Sequence, residues 1–120
     1  MTKKHAFVVL DPELYEGYIS SAVDKIKGYV GAELKAIHLT ENTDAANMFL
    51  EQLPERVKKA VGCVADFYLG ELGKDCKREY LSRVSKNLRR NSASFSICQD
   101  PFLQKIGTSL EDLANDIKQD

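Results

Sequence analysis

Residues 55–72 carry apolar side chains around more than half of a helical circumference, while residues 74–90 carry seven cations against two carboxylates. A segment apolar on most faces belongs inside a fold, and a cation-rich one keeps most of its surface in water. Joining the two through Gly73 with almost no connection favours a helical hairpin or an angled helix–turn–helix. On the first arm Val57, Ala60, Val61, Val64, Tyr68 and Leu72 share one face, widened by Ala65, Phe67 and Leu69. This arm is therefore expected to be the most buried helix, with Cys63 at its margin as a small hydrophobe. Gly62 and Gly70 lie on the remaining side, each weakening the helix by about 1 kcal/mol relative to alanine, and Gly73 closes it.

The second arm has a narrow apolar stripe, Tyr80, Leu81, Val84 and Leu88, with Tyr80 placed at the rim of any docking surface. Lys74, Lys77, Arg78, Arg83, Lys86, Arg89 and Arg90 spread over the other half, and Glu79 is spaced to pair with Arg83. The chain as a whole has a net charge of −1, so this is local segregation rather than a basic protein.

The flanking segments suggest more elements. The run Ala6-Phe7-Val8-Val9-Leu10 suits a buried strand. Asp11-Pro12-Glu13 reads as the cap and first turn of a helix over residues 12–30, stopped by Gly31. Residues 34–39 read as a second strand, making a strand–helix–strand unit. Residues 44–53 form a short helix burying Ala46, Phe49, Leu50 and Leu53 and ended by Pro54. Ala93, Phe95 and Ile97 alternate with serines as a short edge strand. Asp100-Pro101 opens a helical turn that Gly107 stops, and Thr108-Ser109-Leu110-Glu111 has capping-box form before a last helix burying Leu110, Leu113, Ala114 and Ile117. The expectation is one compact α+β domain over residues 1–120, helix-dominated, with five or six helices and a small two- to three-strand sheet. An all-α bundle is the alternative.

At 120 residues the chain can bury a core without disulfides or metal. Cys63, Cys76 and Cys98 are odd in number and widely spaced, which fits reduced thiols in a cytoplasmic protein. No apolar run is long enough for a transmembrane helix, and residues 6–10 are too short for a signal-peptide core. With His5 and His38 as the only histidines and no C-x2-C pair, no metal cage is expected. No catalytic residue and no cofactor site can be named. Cys76 lies among cations near a helix start, where a thiol becomes reactive.

Phe7-Val8-Val9-Leu10-Asp11 and then Gly31-Ala32-Glu33-Leu34-Lys35-Ala36-Ile37-His38-Leu39 resemble the opening of universal stress proteins. That resemblance implies a nucleotide-holding role for Asp11. The family's later glycine-rich phosphate loop has no counterpart, because Gly70 and Gly73 lack its spacing, so ATP binding is not carried over and Asp11 reads as a helix cap. Val64-Ala65 through Gly73, Tyr80-Leu81-Ser82-Arg83-Val84 and Ser109-Leu110-Glu111-Asp112-Leu113 resemble a phage-repressor helix–turn–helix with lengthened steps. It would present Lys74, Lys77, Arg78 and Arg83 to DNA.

The functional expectation is a small non-enzymatic cytoplasmic interaction module, an adaptor, regulator or inhibitor of the kind common in bacteria and phages. It docks on an acidic protein partner through Lys74, Lys77, Arg78, Arg83, Lys86, Arg89 and Arg90. The alternative is a DNA- or RNA-binding regulator using the same helix. A membrane-surface role is disfavoured, because the narrow stripe has no Trp or Phe and is needed for the core. Oligomeric state stays open.

Overall fold

A computed structural model describes residues 12–70 and 72–119. A 3-10 turn, Pro12–Tyr15, leads into α1 (Glu16–Leu39), followed by α2 (Thr43–Tyr68), α3 (Lys74–Ser96) and α4 (Pro101–Gln119). Among the described residues there is no strand, so the expected α+β fold with a sheet gives way to an all-α bundle of four helices. The expected strand over residues 6–10 and the Asp11 cap lie outside the described residues.

In each helix the apolar period outlasts a local stop signal. In α1, Ile19, Val23, Ile26, Val30, Leu34 and Ile37 are all buried at three- or four-residue steps. The burial of Leu34 and Ile37 carries the helix through Gly31 and absorbs residues 34–39, which had read as a strand. Gly31 is exposed and tolerated as an ordinary helical residue. In α2, Ala46, Leu50, Leu53, Val57 and Val61 are buried in step, and Pro54 sits inside the helix rather than ending it.

The second half of α2 is not the most buried segment. Val57, Val61 and, just past the helix, Leu69 are buried, whereas Cys63 and Phe67 are exposed, Phe67 at 82%. The helix also ends before Gly73: Tyr68 is its last residue, and Gly70 turns the chain with φ +42°, a conformation that favours glycine.

Residues 93–96 belong to α3, not to an edge strand, because Cys76, Tyr80, Val84, Leu88 and Ser92 form one buried stripe leading to half-buried Phe95. Asp100 does open α4: its Oδ1 accepts from the Phe102 and Leu103 amides at 2.8 and 3.4 Å. Gly107, however, lies mid-helix, and the helix runs through the capping-box residues.

Helices α1 and α2 form one antiparallel hairpin, tied by Arg56 Nη2 to Glu33 Oε2 at 2.9 Å. Helices α3 and α4 form the other and pack most closely. The hairpins lie side by side with α1 against α3 and α2 against α4. Residue numbers rise together across the second pair, in the Lys105–Asn47 contact at 3.1 Å and the Lys58–Asp116 ion pair at 3.3 Å. These neighbours therefore run parallel. The connection through Leu69 and Gly70 thus crosses the bundle on a diagonal, and Tyr80 on α3 reaches α2 through the core, its hydroxyl donating to the Val61 carbonyl at 2.8 Å.

Small residues explain the close α3–α4 approach. Ser85 Oγ donates to the Ala114 carbonyl at 2.9 Å, and Ser92 Oγ to the Gly107 carbonyl at 2.6 Å. Both serines are buried, and these bonds satisfy them. A Cβ on Gly107 would stand 2.8 Å from Ser96 Oγ, 3.1 Å from the Ser92 carbonyl oxygen and 3.2 Å from the Ser96 amide nitrogen. The hydroxyl can rotate away; the backbone atoms move only if the helices part. Gly107→Ala is accordingly expected to destabilise by about 1–3 kcal/mol, outweighing alanine's better helix propensity. Urea denaturation checks it, and a stabilised variant would show the seam to be loose.

Candidate functional site

The seven cations singled out on α3 divide by what they touch. Arg83 is a structural clamp. Its Nη1 and Nη2 grip Glu16 of α1 at 2.8 and 2.7 Å, and its Nε donates to Glu79 at 2.8 Å. The planar fork of guanidinium suits such bidentate pairing. Arg78 pairs with Asp75 one turn away at 3.1 Å, and Arg89 crosses to α4 to donate to Asn115 Oδ1 at 2.6 Å. Lys77 is half-buried and Lys74 exposed at the start of α3. Lys86 and Arg90 are exposed, and their side chains make no ion pair or hydrogen bond among the described residues.

Glu16 feels the clamp most. Hydrogen bonds from Arg83 and then from Ser20 hold its carboxyl down to about 2, from an ordinary 4.5, while the Glu16 and Glu79 carboxylates hold Arg83 protonated. Because the folded value lies below the unfolded one, this contribution to stability is present above pH 4.5 and fades as pH falls towards 2. Glu16→Gln is therefore expected to flatten the acid side of the Tm–pH profile in that window. A parallel shift of the whole profile, with its shape unchanged, would show that the clamp is not what titrates.

Lys86 and Arg90 face a groove of about 280 Å³ between the parallel helices α1 and α3. Ser20, Val23, Asp24 and Lys27 line it from α1, and Arg83, Lys86, Asn87 and Arg90 from α3. Lys27 was not among the candidates read from the sequence. Its signal was present: Ser20, Asp24 and Lys27 recur at helical spacing beside the buried Val23 and Ile26, so they share one flank of α1. What the sequence could not supply was that this flank faces α3.

The remaining residues of interest are placed otherwise than expected. Tyr80 is fully buried rather than at a rim, and burial pushes its hydroxyl pKa up. Cys76 is also fully buried, so its thiol is not presented as a surface nucleophile. Cys63, expected at a packed margin, is exposed and flanks a shallow apolar hollow with Phe67, Val64, Tyr68 and Lys25. His38 lines a cavity of about 320 Å³ where the end of α1 meets the starts of α2 and α4, together with Glu41, Thr43, Asp100 and Phe102. Among the described residues no three histidine, cysteine or carboxylate side chains gather as a metal site, and no helix is long and apolar enough to cross a membrane.

No protein-family model, curated protein or solved structure matches the chain.

Proposed function

We propose that the protein is a small non-enzymatic interaction module of the cytoplasm, an adaptor, regulator or inhibitor that docks on an acidic protein through the open side of α3. The observation that carries this reading is the division among the α3 cations. Arg78, Arg83 and Arg89 are satisfied within the chain, while Lys86 and Arg90 stand exposed beside a groove with no partner among the described residues. Exposed cations without internal partners attract and orient an oppositely charged surface.

The same helix could be laid along a nucleic acid, but its surroundings favour a protein. Glu111 of α4 lines a shallow hollow with Arg89, Ser92 and Ser96, and Asp112 is exposed on the same helix. A long polyanion tracking α3 would meet the Glu111 carboxylate, whereas a protein surface can present a donor to it.

The test is affinity capture from the native host with wild-type protein and the double variant Lys86→Glu/Arg90→Glu, with and without nuclease. Arg83 is unsuitable for charge reversal, because its loss would break the clamp on Glu16. The double variant is expected to lose the partner while its Tm stays within a few degrees of wild type. Unchanged capture rejects the face. Capture that nuclease abolishes, or that falls steeply with salt on duplex DNA, replaces the acidic protein by a nucleic acid.

A further inference from the structure

Resting on that docking reading, we infer that the contact is made within the α1–α3 groove by Lys27, Lys86 and Arg90 acting together, and that the occupant is a short acidic peptide segment. Lys86 and Arg90 lie one turn apart on α3, where side chains are neighbours at about 5–6 Å between Cβ atoms. Because α1 runs parallel alongside, Lys27 reaches the same groove from the other wall. None of the three side chains makes an ion pair or hydrogen bond among the described residues. Three like charges around one concavity repel one another, and Asp24 is the single carboxylate in the lining. A bound anion relieves that repulsion; the fold alone does not.

The dimensions and chemistry of the groove select the class of anion. From Ser20 to Lys27 the α1 wall runs about 10 Å at 1.5 Å per residue, two helical turns, which suits a few residues of peptide better than one free phosphate. Val23 gives the lining an apolar contact, and Ser20 and Asn87 supply neutral hydrogen-bonding groups. Asp24 sets a further limit. A phosphate backbone places negative charge at every step and would confront it, whereas a peptide can set a neutral or donor residue opposite it and carboxylates opposite the cations. Arg83, already gripped by Glu16 and Glu79, borders the groove as a fixed guanidinium and adds little net charge.

The probe is a fluorescein-labelled hexaglutamate peptide, titrated with the full chain at low salt and followed by anisotropy, with labelled duplex DNA in parallel. Lys27→Gln, Lys86→Gln and Arg90→Gln are each expected to weaken peptide binding by about fivefold, the upper range for one solvent-facing ion pair. Their Tm should be unchanged or slightly raised, because each removes repulsion. Lys74→Gln and Arg78→Gln should bind as wild type. Wild-type binding by Lys27→Gln, or an equal loss in Lys74→Gln, overturns the groove. Absence of hexaglutamate binding, or tighter and equally Lys27-dependent binding of duplex DNA, overturns the acidic-peptide occupant. If Lys86→Glu/Arg90→Glu loses the host partner while Lys27→Gln keeps it, the groove falls and docking on α3 stands. If both keep it, the docking reading itself falls.

Discussion

Replacing Tyr80 by alanine is expected to cost about 3–5 kcal/mol, the range for removing a buried aromatic ring, and to lower Tm on the order of 10–20 °C. Tyr80 is the largest fully buried side chain among the described residues. Its ring reaches along the diagonal between α3 and α2, two helices that are not adjacent in the bundle and do not close on each other by backbone approach. Its hydroxyl finds the Val61 carbonyl at 2.8 Å, so the polar tip is satisfied inside the core. Tyr80→Phe separates the two contributions. It keeps the ring and removes one hydrogen bond from a carbonyl that the helix interior already pairs, so about 0.5–1.5 kcal/mol is expected. Urea denaturation of both variants gives the comparison. If phenylalanine costs as much as alanine, the hydrogen bond rather than the ring holds the diagonal.

Tyr80 also shows how much of the bundle was legible in the sequence and how much was not. The stripe of Tyr80, Leu81, Val84 and Leu88 was readable from spacing; Val84 and Leu88 are buried, Leu81 is half-buried, and Tyr80 lies deeper than the rim position expected of it. Its continuation was hidden because Ser85 and Ser92 are polar by type yet buried, their hydroxyls bonded to carbonyls of α4. Alternating serines after Asn91 therefore resembled a strand with one wet face. In α1 the continuous period from Ile19 to Ile37 was available, but Gly31 was given the weight of a stop. Local punctuation is worth about 1 kcal/mol for a glycine, less than the burial of one Leu34 or Ile37 side chain.

The site was half legible for a similar reason. Composition along α3 located the basic face. That Arg83 and Arg89 are spent inside the fold depends on Glu16 and Asn115, and that Lys27 joins the groove depends on α1 lying beside α3; these neighbours are set by helix packing rather than by any local pattern.

Pro54→Ala is expected to stabilise the protein by about 1–3 kcal/mol, since proline in a helix interior is about 3 kcal/mol worse than alanine. Pro54 removes the amide that would bond the Leu50 carbonyl, and its ring crowds that oxygen. The helix nevertheless runs from Thr43 to Tyr68, because Leu50 and Leu53 before the proline and Val57 and Val61 after it are buried on one face. Tertiary burial thus offsets a local penalty that alanine would remove. The gain holds only if the bundle does not depend on a bend at this point. Val61 lies two turns beyond Pro54 and receives the Tyr80 hydroxyl, so a straightened α2 that displaced Val61 would weaken that bond. Measuring Tyr80→Phe in both backgrounds decides between the two. An unchanged cost of Tyr80→Phe with a net gain from Pro54→Ala means the proline is merely tolerated. A net loss from Pro54→Ala, with the cost of Tyr80→Phe reduced towards zero, means the bend sets the register in which α3 meets α2 across the core.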